Sequence, residues 1–212
     1  MKKPSIEYNI VLLGDSQVGK STLLKRLHFD TFAEDPVSTM GIDRRSISKI
    51  DQEDQEIVMY LIDTPGTDKY RELEPVPSWY KKSDAALILY DVTKQNSFQN
   101  IVKWIEIIKK YIEDKDSYSF LIMGTKNDLG EKRSDALNMD DLQKKVEIKN
   151  LDWAGEISSK NMTKDKIKKP LESLLKLIHD RRRKKKEKEI LAQENEKKRA
   201  KVKKSKNLKQ RL

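Results

Sequence analysis

The sequence predicts an open α/β fold, a mostly parallel sheet with helices on both faces, and three observations predict it. Short apolar runs recur along the chain, each closing at or near a Gly or Asp. Stripes of apolar residues at three- and four-residue steps lie between them. A glycine-bearing segment, "GDSQVGKS", follows the first run directly.

Taken in order, the runs are "YNIVLLG" from Tyr8, "IVMYLID" from Ile57, "AALILYD" from Ala85 and "FLIMGTK" from Phe120. Each is apolar on both faces, as a strand of a parallel sheet covered on both sides must be. The stretch Ile42 to Ile50 sets Ile42, Ile47 and Ile50 among charges and reads as an edge strand paired with "EIVMYLI". In "SFQNIVKWIEIIKKYI", Ile101, Trp104, Ile105, Ile108 and Ile112 form the stripe of a helix lying on a sheet. A last helix runs through "LESLLKLIHD", with Leu171, Leu174, Leu175 and Ile178 on one face. Pro170 belongs in its first turn, where the missing N–H has no intrahelical partner, so the helix is expected to start only a few residues earlier. There is no internal repeat.

Charge divides the chain. The net charge of +10 is not spread evenly: residues 1–180 hold 29 basic and 31 acidic groups, residues 181–212 hold 16 and 4. The expected organisation is a globular domain over 1–180 and a Lys/Arg-rich tail over 181–212. The tail has too few apolar residues to offset its own ordering, so it is either disordered or a solvated extension of the last helix. Cysteine is absent, which removes disulfides, thiolate metal sites, thiol catalysis and any lipidated cysteine. The opening "MKKPSIEYN" has no apolar core of a signal sequence, and no run approaches a membrane span. A cytoplasmic location is expected.

A strand, then G-x-x-x-x-G-K-S, then a helix is the pattern of a phosphate-binding loop. Gly14 and Gly19 let the backbone turn so that the N–H groups of Asp15, Ser16, Gln17, Val18 and Thr22, with the positive helix end, surround phosphates. Lys20 would reach the outer phosphates and the Ser21 hydroxyl would take a coordination position on Mg²⁺. The loop alone names neither base nor reaction. In "YLIDTPG" a strand ends at Asp63, beside that loop, where a magnesium-organising carboxylate is needed, and Gly66 can offer its N–H to a terminal phosphate. Taken alone, such an Asp is also a turn former. In "GTKNDL", Asp128 can accept from the N1–H and N2–H₂ edge of guanine, which adenine lacks, and a buried carboxylate denied those donors is costly. Lys126 would lay its stem over the ring. In isolation these residues fit a solvated turn equally well.

Together, "GDSQVGKSTLL", "STMGID", "DTPG", "SWYKKSDAALILYDVTKQNSF", "GTKNDL" and "EISSK" resemble a small GTPase of the Ras superfamily, closest to the Rab branch, over about Tyr8 to Ile178. The resemblance implies the P-loop GTPase fold, with six strands, one antiparallel at the edge, and a monomeric switch using GTP/GDP and Mg²⁺ in signalling or vesicle trafficking. It implies that Ser21, Thr39 and Asp63 serve the metal and that Lys20, Thr39, Gly66 and Thr67 stand at the reacting phosphate. It further implies that Phe32 packs against the guanine edge, and that Thr125, Lys126, Asn127, Asp128, Ser158, Ser159 and Lys160 form the base pocket. Exchange factors and effectors would bind the switch regions.

Several positions depart from the family. Thr67 stands where the family has the glutamine that orients the attacking water, so hydrolysis is expected to be slow and unresponsive to a conventional activating protein. Pro65 stiffens the same turn, and Pro75 and Pro77 lie in a lengthened second switch. A second reading follows from these changes, a scaffold that binds nucleotide without a hydrolysis cycle. Gln17 replaces a common glycine. Of three aromatic effector positions, two hold Arg44 and Ile62, leaving the Trp79–Tyr80 pair. The family's prenylated cysteines are missing. The basic tail could instead meet an anionic membrane, serve nuclear import, bind RNA or simply remain solvated; the near-neutral body makes nucleic acid the weaker expectation.

Overall fold

The structure, a computed structural model, describes residues 4–32, 43–50, 55–64, 78–114, 118–132, 140, 144 and 151–209. Thr39, Pro65, Gly66, Thr67, Pro75 and Pro77 lie outside the described residues.

Among the described residues six strands form one sheet: β1 (Ile6–Leu13), β2 (Asp43–Ile50), β3 (Glu56–Asp63), β4 (Ala85–Asp91), β5 (Ser119–Thr125) and β6 (Leu151–Glu156), in the order β2-β3-β1-β4-β5-β6. Only β2 is antiparallel, on β3; the other pairings are parallel. The helices are α1 (Lys20–Phe29), the short α2 (Ser78–Lys81), α3 (Gln95–Gln99), α4 (Ile101–Lys109) and the long α5 (Lys164–Lys209).

Side-chain alternation along β1 builds two cores. Ile10 and Leu12 join Leu23, Leu27, Leu171 and Leu175 in the layer shared with α1 and α5. Val11 and Leu13 join Ile88, Trp104, Ile105 and Ile108 in the layer shared with α4. Every residue of β4 and β5 is buried, the requirement that made these strands visible as unbroken apolar runs.

Three details refine the sequence reading. The stripe from Ile101 to Ile108 is buried on α4, but the helix ends at Lys109, so Ile112 packs from beyond it. The helix also does not run unbroken from Ser97, since Asn100 joins α3 to α4. No apolar run marks β6, because it is an edge strand of intermediate burial whose Trp153 is 52% exposed. Pro170 is not in the first turn of α5: the helix begins at Lys164, which places the proline in the second turn.

The start of the basic run is tied to the body. Arg181 donates to Ser119 Oγ at 2.5 Å and pairs with Asp152 at 3.4 Å. Arg182 pairs with Asp84 and lies over the Tyr8 ring, 4.8 Å from its centroid. Lys185 pairs with Asp114. Three residues before Arg182, His179 Nδ1 is 2.9 Å from the Tyr8 hydroxyl. Each exposed pair alone is worth at most about 1 kcal/mol, but three within two turns fix the direction in which α5 leaves the body. Side chains from Arg182 to Glu196 are exposed, so the basic cluster is a helix surface on which Arg181, Arg182 and Lys185 pair with the body and Arg183 pairs along the helix with Asp180 and Glu187. Among the described residues no helix is long and apolar enough to cross a membrane.

Candidate functional site

The candidate residues gather where β1, β3, β4 and β5 end, at the point where the chain passes from one side of β1 to the other, the usual location of a ligand in an open α/β sheet. Gly14 has φ 135 and Gly19 φ 100. A Cβ on Gly14 would meet the Leu89 carbonyl oxygen at 2.3 Å, so this glycine is required by close approach as well as by its backbone angle. Gln17 holds φ 63, a left-handed conformation costing about 1 kcal/mol for a residue other than glycine. Its side chain, like that of Ser16, is exposed at the loop's mouth, while Val18 is buried beneath it. Helix α1 has no acidic residue of its own in its first turn, which leaves its positive N-terminal end open to an anion.

Lys20 is 6% exposed, and its Nζ donates to the Gly14 carbonyl at 2.7 Å and the Asp15 carbonyl at 2.8 Å. Its stem is thereby held across the loop. One residue on, Ser21 Oγ donates to Asp63 Oδ2 at 2.5 Å. Register explains the meeting: Leu12 of β1 stands opposite Asp63 of β3, and Thr64 Oγ1 donates to the Leu12 carbonyl at 2.7 Å. Asp63 is 1% exposed. A hydroxyl and a carboxylate, both hard oxygen donors, fit magnesium, which takes few protein ligands and completes its shell with phosphate and water. Thr22 lies half-buried in the first turn of α1.

The second half of the site is built from the ends of β5 and β6. Thr125 Oγ1 donates to the Val18 carbonyl at 2.6 Å and the Tyr90 carbonyl at 2.9 Å, joining this half to the glycine loop. Asn127 N–H donates to the Ile157 carbonyl at 3.1 Å. Ser158 Oγ donates to Asp128 Oδ1 at 2.6 Å and accepts from the Asn161 N–H at 2.9 Å. Ser158 and Ser159 are buried. Lys160 Nζ lies 6.0 Å from the centroid of the Phe32 ring, which is 39% exposed. The sequence reading treated Asp128 as a buried carboxylate, but it is exposed. The cost of denying it donors therefore arises only when a base covers it.

Two site-forming partners were missed from sequence. Lys126, at φ 61, pairs through Nζ with Asp91 Oδ2 at 2.7 Å. Burial pushes the Asp91 carboxyl up, but hydrogen bonds from Lys126 and Thr93 and the Lys126 charge outweigh it and hold it below the usual carboxylate range. Asp91 closes a fully apolar strand, the same signal that pointed to Asp63. The other is the acceptor pair of Asp15, which takes Asn100 Nδ2 at 2.7 Å and Trp104 Nε1 at 2.9 Å.

Of the expected effector positions, Arg44 is exposed, with its guanidinium 3.6 Å from the Tyr60 ring centroid. Ile62 and Tyr80 are buried, at 5% and 4% exposure. Tyr80 stacks on Tyr111 with centroids 5.8 Å apart and its hydroxyl is pushed by burial to a pKa of about 12. It serves the core, which leaves half-buried Trp79 as the aromatic member of that surface.

Comparison with known proteins gives a family model, that of the Ras family, matching residues 9–180. The Ras-related protein RABD2a of Arabidopsis thaliana is 35% identical over 127 residues, 60% of either chain. The Ras-related protein RIC1 of Oryza sativa is 35% identical over 126 residues, 59% of this chain and 60% of its own. The GTP-binding protein ypt1 of Schizosaccharomyces pombe is 34% identical over 126 residues, with the same coverage. The chain thus spans about three fifths of the length of these relatives.

Proposed function

The chain belongs to the Ras family, and on that premise we propose that it is a Rab-like switch that binds GTP and GDP with Mg²⁺ and hydrolyses GTP slowly. What carries the reading is the gathering at one end of the sheet of a lysine held across a glycine loop, a Ser21–Asp63 oxygen pair, and an Asp128 carboxylate steadied by Ser158. The names of two groups of relatives, Ras-related and GTP-binding, agree with it.

In this reading Lys20 Nζ, already directed over the loop, reaches the β- and γ-phosphates, and the N–H groups from Asp15 to Thr22 donate to their oxygens. Ser21, Asp63 and Thr39 hold magnesium, which when bound supplies charge neutralisation at the terminal phosphates. Asp128 accepts from the guanine edge, the Lys126 stem covers one ring face, and Phe32 and Lys160 close the other side. Gly66 offers its N–H to the γ-phosphate. Thr67 then leaves the attacking water poorly oriented. Thr39, Gly66 and Thr67 enter by sequence alone. Identification of the bound nucleotide tests the reading directly: protein purified without added ligand and then denatured should release guanine nucleotide in a one-to-one ratio. Folded, ligand-stripped protein that takes up neither GTP nor GDP by calorimetry would refute it. Retention of GTP with no turnover would instead make the chain a nucleotide-bound scaffold.

The switch surface would meet exchange factors and effectors, and Arg44 beside Tyr60 makes it more cationic than an aromatic triad would be. For the tail we propose an anionic membrane surface. From Ile190 onward the chain carries nine Lys and Arg, and each near an anionic leaflet contributes about 1 kcal/mol, with strong salt dependence. The helix from Arg182 to Lys209 would extend about 40 Å. Full-length protein should sediment with phosphatidylserine-rich vesicles at low salt and be released at high salt. A chain ending at Glu189 keeps the Arg181, Arg182 and Lys185 pairs and should stay in solution; equal pelleting of the two would exclude the tail as the contact.

A further inference from the structure

A carboxylate in a phosphate-binding loop is out of place on electrostatic grounds, since it repels what the loop is built to hold. Asp15 is the first residue after Gly14, and its backbone carbonyl, like that of Gly14, accepts from Lys20 Nζ. Its side chain is turned onto helix α4: Oδ2 accepts from Asn100 Nδ2 at 2.7 Å and Oδ1 from Trp104 Nε1 at 2.9 Å. Trp104 is 1% exposed and sits within the core layer under α4. A buried indole N–H needs an acceptor, and the loop supplies it. Asn100 is the joint between α3 and α4, so one carboxylate fixes both the joint and the loop.

We propose that Asp15 is a positioning residue that ties the backbone of the glycine loop to α4 through Asn100 and Trp104, and so sets how long the loop retains nucleotide phosphates. The inference rests on the nucleotide-binding reading above. Its physical content is a division of labour within one residue. Two donors draw the negative charge toward α4, and the carbonyl thereby stays where Lys20 is oriented across the loop. Hydrogen bonds to a charged group are strong, so both links are worth more than neutral ones.

The test is release of a fluorescent GDP analogue from the full-length chain into excess unlabelled GDP at fixed Mg²⁺, with thermal midpoints measured alongside. N100D sets a second carboxylate against Asp15 and should speed release on the order of thirtyfold, as expected from losing a charged hydrogen bond and adding repulsion. The double variant D15N/N100D should bring release back to within about threefold of wild type, because the new amide donates to the new carboxylate while its oxygen still accepts from Trp104. W104F, which removes one donor and keeps an aromatic ring, should speed release by about fivefold. I108V trims the same buried face of α4 away from the loop and should lower the midpoint without altering release. Rescue in the double variant together with an unchanged I108V rate establishes the tie. Wild-type release rates in N100D and W104F, absence of rescue, or an I108V effect equal to that of W104F overturns it. Failure of the wild-type chain to hold the analogue sinks the nucleotide reading as well, which separates that result from failure of the tie alone.

Discussion

Alanine in place of Asp128 should weaken both GTP and GDP binding by about a thousandfold, because two hydrogen bonds to a charged acceptor are lost and each is worth about 1.5–3 kcal/mol. The carboxylate offers two oxygens side by side, and guanine presents two donors, N1–H and N2–H₂, at matching spacing. Ser158 Oγ donates to Oδ1 at 2.6 Å and fixes the plane of the carboxylate before any base arrives. Removing that hydroxyl alone should cost less, about fivefold, since the acceptors remain. Adenine nucleotides gain nothing from D128A, so the preference for GTP over ATP should collapse through weaker GTP binding. Calorimetry on ligand-stripped protein measures the affinities for GTP, GDP and ATP, and the thermal midpoint serves as a control because Asp128 is exposed and contributes little to the core. An unchanged GTP affinity in D128A would place the base elsewhere and remove the reason for assigning guanine.

The parts of the molecule that could be read from sequence are those where one residue type is forced by a local demand. Gly14 has no room for a side chain, and Gly19 needs a positive φ, so the loop announced itself. Strands β4 and β5 are buried along their whole length, so they had to be unbroken apolar runs. β6 has one open side and needed no such run. What could not be read are the pairings between residues far apart in the chain. Asp15 with Trp104, Asp91 with Lys126, and Arg182 with Asp84 join elements that only the folded sheet brings together. Trp104 was legible as a member of a buried stripe, but its indole N–H carried no sequence signal for its acceptor. The tail shows the same limit: its charge was plain, yet the engagement of Arg181, Arg182 and Lys185 by body carboxylates and Ser119 depends on where α5 ends against the sheet. Asp128 shows another limit: the sequence reading makes it a buried carboxylate, and the structure leaves it exposed.

Glutamine in place of Thr67 should accelerate single-turnover GTP hydrolysis on the order of a hundredfold, the effect expected when a misplaced reactant is brought within about 1 Å of its attacking position. In phosphoryl transfer to water the protein does little covalent chemistry; rate comes from holding the nucleophile in line and neutralising charge on the transferring group. In the proposed reading the charge-handling parts are Lys20, directed across the loop, and Ser21, hydrogen-bonded to Asp63. The orienting amide is the missing part. A threonine hydroxyl ends about two bonds, or roughly 2.5 Å, short of where a glutamine amide would reach, and its single oxygen cannot both donate to the phosphate and accept from the water in the way an amide can. Because Thr67 touches neither guanine nor the phosphate loop in this reading, T67Q should leave GDP affinity within about twofold, so that the gain appears in the chemical step and not in binding. The measurement is rapid mixing of GTP-loaded protein with Mg²⁺ and quantification of phosphate. Fast hydrolysis by the wild-type chain would show that Thr67 does not limit the reaction. A T67Q rate equal to a slow wild-type rate would shift the defect to Pro65, whose ring fixes the backbone leading to Gly66, and P65A would then be the variant that restores turnover.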